Sequence, residues 1–162
     1  MTDDLFLAWA AGFFDGEGCV IIEISKEKRC RHGFRTALHV HVTQTSIPCL
    51  EKFLSRFGGR LTTSEHTTPN GRRWAVQYRW GAKNEEAASF LRLIYPYTVV
   101  KKSQIEVALK YPLTSPDGRK YGNTTNPIPD DIQQFRVNLC HELRAIRSSM
   151  KTMAKPWEPA NA

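Results

Sequence analysis

The sequence predicts an α+β domain built on a four-stranded, mostly antiparallel sheet with helices on one face. Three observations carry this reading. Hydrophobic periodicity gives the order helix, two strands, helix, two strands, helix, then further helices. The strands come in neighbouring pairs rather than alternating with helices, which argues against a parallel βαβ arrangement. The chain has 162 residues, 41% of them hydrophobic, enough for one core and few for two.

Taken in order, residues 4–15 read as a helix opened by Asp3 or Asp4 at its N-cap. Residues 19–26 are β-branched and apolar and read as a strand. Residues 34–44 alternate, with Leu38, Val40 and Val42 on one face and Arg35, His39, His41 and Thr43 on the other. A helix over 47–57 has Ser46 as cap, Pro48 in its first turn and Gly58-Gly59 as its stop. Residues 60–66 and 72–80 form a hairpin around Pro69, Asn70 and Gly71. In its second strand Trp74, Val76, Tyr78 and Trp80 are the core side, and Arg73, Gln77 and Arg79 the polar side. Asn84 caps a helix reaching Tyr95, and another helix covers 99–110. Residues 112–129, rich in Pro, Gly and Asn, make a loop. A last helix over 130–150 carries Asp130 and Asp131 at its start and Arg144 and Arg147 near its end, matching the helix dipole. Residues 1–154 are expected to form one domain and 155–162 a loose tail.

The formal net charge of +7 favours a polyanionic partner, most often nucleic acid. No secretory pattern is seen, and no apolar run approaches the roughly 18 residues of a membrane span. A soluble, intracellular protein without membrane contact is expected. Cys19, Cys30, Cys49 and Cys140 lack zinc-finger spacing and read as reduced, with Cys19, Cys49 and Cys140 in the core.

The chemistry concentrates in Ala10-Ala11-Gly12-Phe13-Phe14-Asp15-Gly16-Glu17-Gly18. Ala8, Gly12 and Gly16 recur every four residues and line one helix face. Each helical glycine costs up to about 1 kcal/mol, so the stripe needs a packing reason. That reason is either a second helix at near backbone contact or tight packing within the chain itself. Asp15 and Glu17 sit at the helix C-terminus, where the dipole already places negative charge. A bound divalent cation removes that conflict; an exposed, solvated turn with Gly18 as C-cap also tolerates it. The backbones of Gly16 and Gly18 can approach a ligand closely.

This segment resembles the signature of the LAGLIDADG homing endonucleases. Gly12, Asp15 and Gly18 match its most characteristic letters, and Glu17 stands where the family has its final Asp or Glu. Ala10 departs from the usual Leu. The resemblance implies an αββαββα core whose saddle-shaped sheet straddles duplex DNA. The chain has one motif, so a homodimer is implied, with Ala8, Gly12, Asp15 and Gly16 at its interface. It further implies site-specific cleavage of both DNA strands. Glu17 is the candidate ligand of Mg²⁺, for which Mn²⁺ can substitute, with the Gly16 carbonyl assisting. Asp15 then caps or braces the helix pair. Gln44, in a Val-Thr-Gln context, would order water, and Lys101 or Lys102 would stabilise the scissile phosphate.

Sequence readout is expected from the polar face of the sheet. That face comprises Glu23 and Ser25, then Arg35, His39 and His41, then Thr62, Ser64 and His66, then Arg73, Gln77 and Arg79. Lys26, Lys28, Arg29 and Arg31 are expected on phosphates. Two other readings stay open: a non-cleaving nucleic-acid binder on the same fold, such as an intron RNA maturase or a DNA-binding regulator, and a basic interaction module of another class.

Overall fold

The computed structural model describes residues 2–64, 75–122 and 125–152. The first helix, α1, runs Asp3–Glu17, two residues past the expected end, so Glu17 is its last helical residue. It buries Leu7, Ala10, Ala11 and Phe14 on one face. Neither Asp3 nor Asp4 is its cap; Thr2 holds that position without a side-chain hydrogen bond. The two carboxylates stay in the first turn, where the dipole favours them, and take other partners. Asp3 binds Arg56 at 3.0 Å, and Asp4 accepts from the Tyr97 hydroxyl at 2.9 Å.

The strands β1 (Gly18–Lys26) and β2 (Phe34–Gln44) pair antiparallel with Gly18 opposite Val42. Helix α2 (Ile47–Phe57) matches its expected bounds and ends at Gly58, whose φ of 69° a side chain would strain. Ser46 precedes α2 without a capping side-chain bond. Strand β3 (Arg60–Ser64) then pairs with β4 (Gln77–Lys83), which lies against β2, giving the sheet order β1-β2-β4-β3. The hairpin turn, Trp74, and the candidate positions His66 and Arg73 lie outside the described residues, as does the stretch 155–162.

Strand β4 corrects the expected span of 72–80. It continues to Lys83 because the ladder with His39–Val42 of β2 outweighs the poor strand preference of Gly81. Val76 precedes it and is exposed, so the apolar face is carried by Tyr78, Trp80 and Ala82. Asn84 likewise does not cap α3 (Asn84–Ile94): Lys83 occupies the cap position. The Asn84 side-chain oxygen Oδ1 instead accepts the Leu38 amide at 3.1 Å, satisfying a β2 donor just past the β2–β4 pairing.

A short 3₁₀ turn, Tyr95–Tyr97, leads to α4 (Lys102–Leu109), which starts three residues later than expected. The amides of residues 99–101 bind a side chain, described below, rather than opening the helix. The loop that follows carries one bridge, Thr114 to Lys120, and α5 (Asp130–Thr152) closes the described fold.

Trp80, Phe14, Phe53 and Phe90 lie at the heart of the core, with ring centroids 5.0–5.1 Å apart in the Trp80–Phe90, Phe14–Phe90 and Phe53–Trp80 pairs. Each such pair adds about 1 kcal/mol beyond area burial. Helices α1 to α5 all contact the sheet, and Val20, Ile22, Leu38, Val40 and Val42 turn toward them. The opposite face of the sheet is left polar. Cys140 is buried as expected, its thiol donating to the Ile22 carbonyl. Cys49 is only half-buried, packed against the core. Cys19 departs further from expectation: strand alternation puts it on the polar face, opposite His41. Among the described residues no helix is long and apolar enough to cross a membrane.

Candidate functional site

The end of the sheet where β1 begins collects the candidate chemistry. Glu17 leaves α1 exposed and makes no hydrogen bond or ion pair among the described residues. Gly18 follows at once. Its φ is ordinary, yet a Cβ there would stand 2.2 Å from the Phe14 ring and 2.5 Å from the Phe14 carbonyl oxygen. The missing side chain therefore serves the turn from α1 into β1. That turn fixes where Glu17 points.

Asp15 is fully engaged. Its carboxylate accepts the amides of Val99 at 2.8 Å, Val100 at 3.1 Å and Lys101 at 2.9 Å. The Lys101 ammonium in turn donates to the Asp15 backbone carbonyl. The end of α1 and the start of α4 are thus clamped in both directions. Partial burial holds the Lys101 ammonium below the usual lysine range. Asp15, Cys19 and Glu17 oppose that shift, and Arg147 reinforces it. Lys101 therefore lies within electrostatic reach of Glu17. Lys102 does not join them: it is exposed, with its ammonium 5.2 Å from the Tyr95 ring centre.

Gln44 ends β2 two residues beyond Val42, the partner of Gly18, so the register sets it at the same end of the sheet. Its carbonyl accepts the Thr45 amide at 2.9 Å, leaving the Nε2 hydrogens free among the described residues. Among those residues no group of three or more His, Cys, Asp or Glu side chains is gathered for a metal ion.

The stripe on α1 faces away from the chain's own core. Ala8, Gly12 and Gly16 are exposed, and Leu5 above them is 61% exposed. A Cβ on Gly12 or Gly16 would meet nothing within 4 Å. Tight packing against the described residues of the chain is therefore not the reason for these glycines.

The polar face of the sheet presents most of the expected residues together. In the observed register Ser25 opposes Arg35, and Arg35 Nε donates to the Ser25 hydroxyl at 3.3 Å. His39 Nε2 lies 3.1 Å from a Glu23 carboxylate oxygen. Arg79 stands between Thr43 and Thr62, donating to the Thr43 hydroxyl at 3.3 Å. Ser64 pairs with Gln77 at the far end of β3. Burial, then Lys83, lower the His39 pKa from 6.5 against the pull of Glu23, and Arg35 adds to the lowering. Burial, then Arg79, His39 and Arg147, lower that of His41 from 6.5. Lys26, Lys28, Arg29 and Arg31 lie at the β1–β2 connection. Lys26, Lys28 and Arg29 point to solvent, whereas Arg31 is paired with Asp130 at 3.1 Å.

Three basic residues were not read as part of the site. Lys83 and Arg60 share the polar face with Arg79 and Thr62. Both obey strand alternation and would have been found with β4 carried to its true end and β3 counted from its first residue. Arg147 reaches the Lys101 and His41 neighbourhood from α5, and no local pattern announces that contact.

Against known proteins, the sequence pattern described as LAGLIDADG endonuclease matches residues 10–109, which is more than half of the chain. The chain belongs to the LAGLIDADG endonuclease family. That membership makes it a DNA endonuclease by kind, and the αββαββα order follows. Solved LAGLIDADG structures share the fold. The homing endonuclease I-CvuI, in complex with its target in the presence of calcium, superposes with a TM-score of 0.65 at 16% identity, over 99% of this chain and 88% of that one. I-CvuI bound to the I-CreI target with magnesium, its DNA not cleaved, gives 0.64 at 18% identity, over 96% and 98%. The archaeal intron-encoded homing endonuclease I-Vdi141I, complexed with DNA, gives 0.64 at 18% identity, over 99% and 91%. A search of curated proteins finds no match.

Proposed function

We propose that this LAGLIDADG chain acts as a homodimer that binds a long, pseudo-palindromic duplex site and hydrolyses one phosphodiester bond on each strand. The observation that carries the reading is the juxtaposition at the head of β1. Glu17, a carboxylate without a hydrogen bond or ion pair among the described residues, lies within electrostatic reach of the half-buried Lys101 ammonium, which the Asp15 clamp holds. An exposed carboxylate that forms no ion pair among the described residues, at the negative end of a helix, suits a divalent cation. The residues fit Mg²⁺ in particular, which takes one or two carboxylates and completes its shell with water and substrate phosphate. Glu17 would hold it, with the exposed Gly16 carbonyl beside it. A bound divalent ion supplies charge neutralisation at the phosphate and an acidified water.

The chain's own groups have definable parts. Lys101 places a positive charge where negative charge accumulates on the phosphate. Its donor bond to the Asp15 carbonyl fixes the ammonium before substrate arrives. Gln44 offers two free N–H donors that can orient a water. Asp15, saturated by three amides, is a positioning residue. Two-fold symmetry about the open face of Ala8, Gly12 and Gly16 would bring two copies of Glu17 near one axis, one for each strand. The polar sheet face would read bases, with Arg35, Arg79 and Gln77 suited to guanine and adenine edges. The solvent-facing cations of the β1–β2 connection would meet phosphates.

The test begins by selecting the preferred duplex from a randomised library. Wild type and Glu17→Gln are then assayed with Mg²⁺ and with Mn²⁺. Wild type should cut both strands, and the variant should bind without cutting. A wild type that binds its selected duplex tightly yet never cuts would leave only the non-cleaving reading.

A further inference from the structure

A second basic site lies at the opposite end of β2 from the candidate cleavage centre. A cavity of about 590 Å³ opens between the β1–β2 connection, the start of α3 and the loop after α4. That volume is within the range of small-ligand sites. Its wall includes Arg136 of α5, only 4% exposed. Arg136 is an unusual buried cation. Its Nε and Nη2 donate to the Pro112 carbonyl, and its guanidinium lies 4.7 Å from the Tyr111 ring centre and 5.6 Å from that of Tyr121. All of these partners are neutral. No carboxylate pairs with it among the described residues, and its Nη1 has no hydrogen-bond partner there. Burying an arginine without a counter-ion is costly, and carbonyl and ring contacts offset only part of that cost.

The surroundings deepen the deficit. Arg29 and Lys120 line the same cavity, both exposed at its mouth. Among the described lining residues Glu85 is the one carboxylate against five Arg and Lys side chains, of which Arg31 is paired with Asp130. One helical turn before Arg136, Gln133 is 2% exposed and its Nε2 has no partner among the described residues. Its carbonyl is held by Thr36, another wall residue, at 3.4 Å. Residues spaced i, i+3 share a helix face, so the orphaned Gln133 amide lies behind the Arg136 guanidinium that reaches this wall.

We propose that this cavity is a second anion site, in which Arg136 receives the phosphate of a small phosphate-bearing ligand, with Arg29 and Lys120 at the mouth. A planar guanidinium with free N–H groups matches phosphate oxygens. Several cations around one cavity favour a multiply charged anion over a lone carboxylate. The phosphate has two possible sources, a free molecule or the backbone of bound DNA. The site stands on residues separate from Glu17, Gln44 and Lys101, so it holds whether or not the cleavage reading does.

The probe is pyrophosphate in metal-free buffer, titrated calorimetrically at fixed ionic strength into wild type, Arg136→Gln and Lys120→Glu. Wild type should bind, and each variant should bind about ten-fold more weakly or worse, the loss of one charge-assisted contact. Arg136 also staples the loop after α4, so its variant is first checked by circular dichroism. If it does not fold, Lys120→Glu decides, because that side chain is exposed. Repeating the titration with duplex DNA bound separates the sources: competition identifies backbone phosphate, and undiminished binding identifies a free ligand. Equal affinity in wild type and the folded variants, or no heat beyond that of matched sodium chloride, overturns the proposal.

Discussion

Asp15 and Glu17 are two residues apart, and the fold gives them opposite fates. Asp15 is consumed by three backbone amides, so its substitution should act on structure. Asp15→Asn removes the charge from those bonds and should lower stability by about 2 kcal/mol, read as a shifted urea midpoint. Glu17→Gln should leave that midpoint in place and abolish cutting. Lys101→Met should reduce turnover by about 10²-fold or more, with binding of the selected duplex little changed. Lys102→Met should do neither, since its ammonium is turned to Tyr95. A Lys102 variant as impaired as the Lys101 variant would refute the assignment. How much of this was legible follows from the kind of contact involved. The acidic helix end could be read in the sequence, because charge and helix polarity are local. That Asp15 clamps α4 could not, because its partners lie more than eighty positions away and are backbone groups without sequence identity.

At the scale of elements, strand alternation located the polar face of β2 residue by residue, because a period of two leaves no ambiguity once one face is buried. It failed where pairing overrode composition, in the Gly81 end of β4, and so Lys83 was missed. The two histidines of β2 make this face sensitive to pH. Both have folded pKa values lowered below 6.5, so their contribution to the free protein's stability is present above that pH. It is lost as pH falls through the lowered values. DNA phosphates favour the charged imidazole, so duplex affinity should rise over the same descent. Replacing His39 and His41 together by Gln should flatten both trends, measured by thermal melts and by binding titrations. An unchanged pH profile in that double variant would exclude these imidazoles as the cause. On α1, Gly12→Leu should spare the fold, because open space surrounds that position, and should abolish dimerisation, read by light scattering. Gly18→Ala should spare the dimer face and destabilise the fold by about 1–3 kcal/mol, because Phe14 has no room to yield.

For the whole molecule, a net charge of +7 per chain, with Arg35, Arg79, Lys83 and Arg60 on one sheet face, makes duplex binding an ion-exchange reaction. The logarithm of affinity should fall linearly with that of salt concentration, with a slope of about −0.9 for each phosphate neutralised. Arg60→Ala or Lys83→Ala should each reduce that slope by about one if the side chain contacts a phosphate. The division of the sheet into a packed side and an open side has a broader consequence. If the open side reads DNA as proposed, the side chains that choose the target are not those buried in the core, and the proposed cleavage groups sit at element ends at the sheet's margin. Mutation could then drift across the proposed reading surface, one base preference at a time, without unseating the blades. A scaffold so divided would accept new targets without a new core.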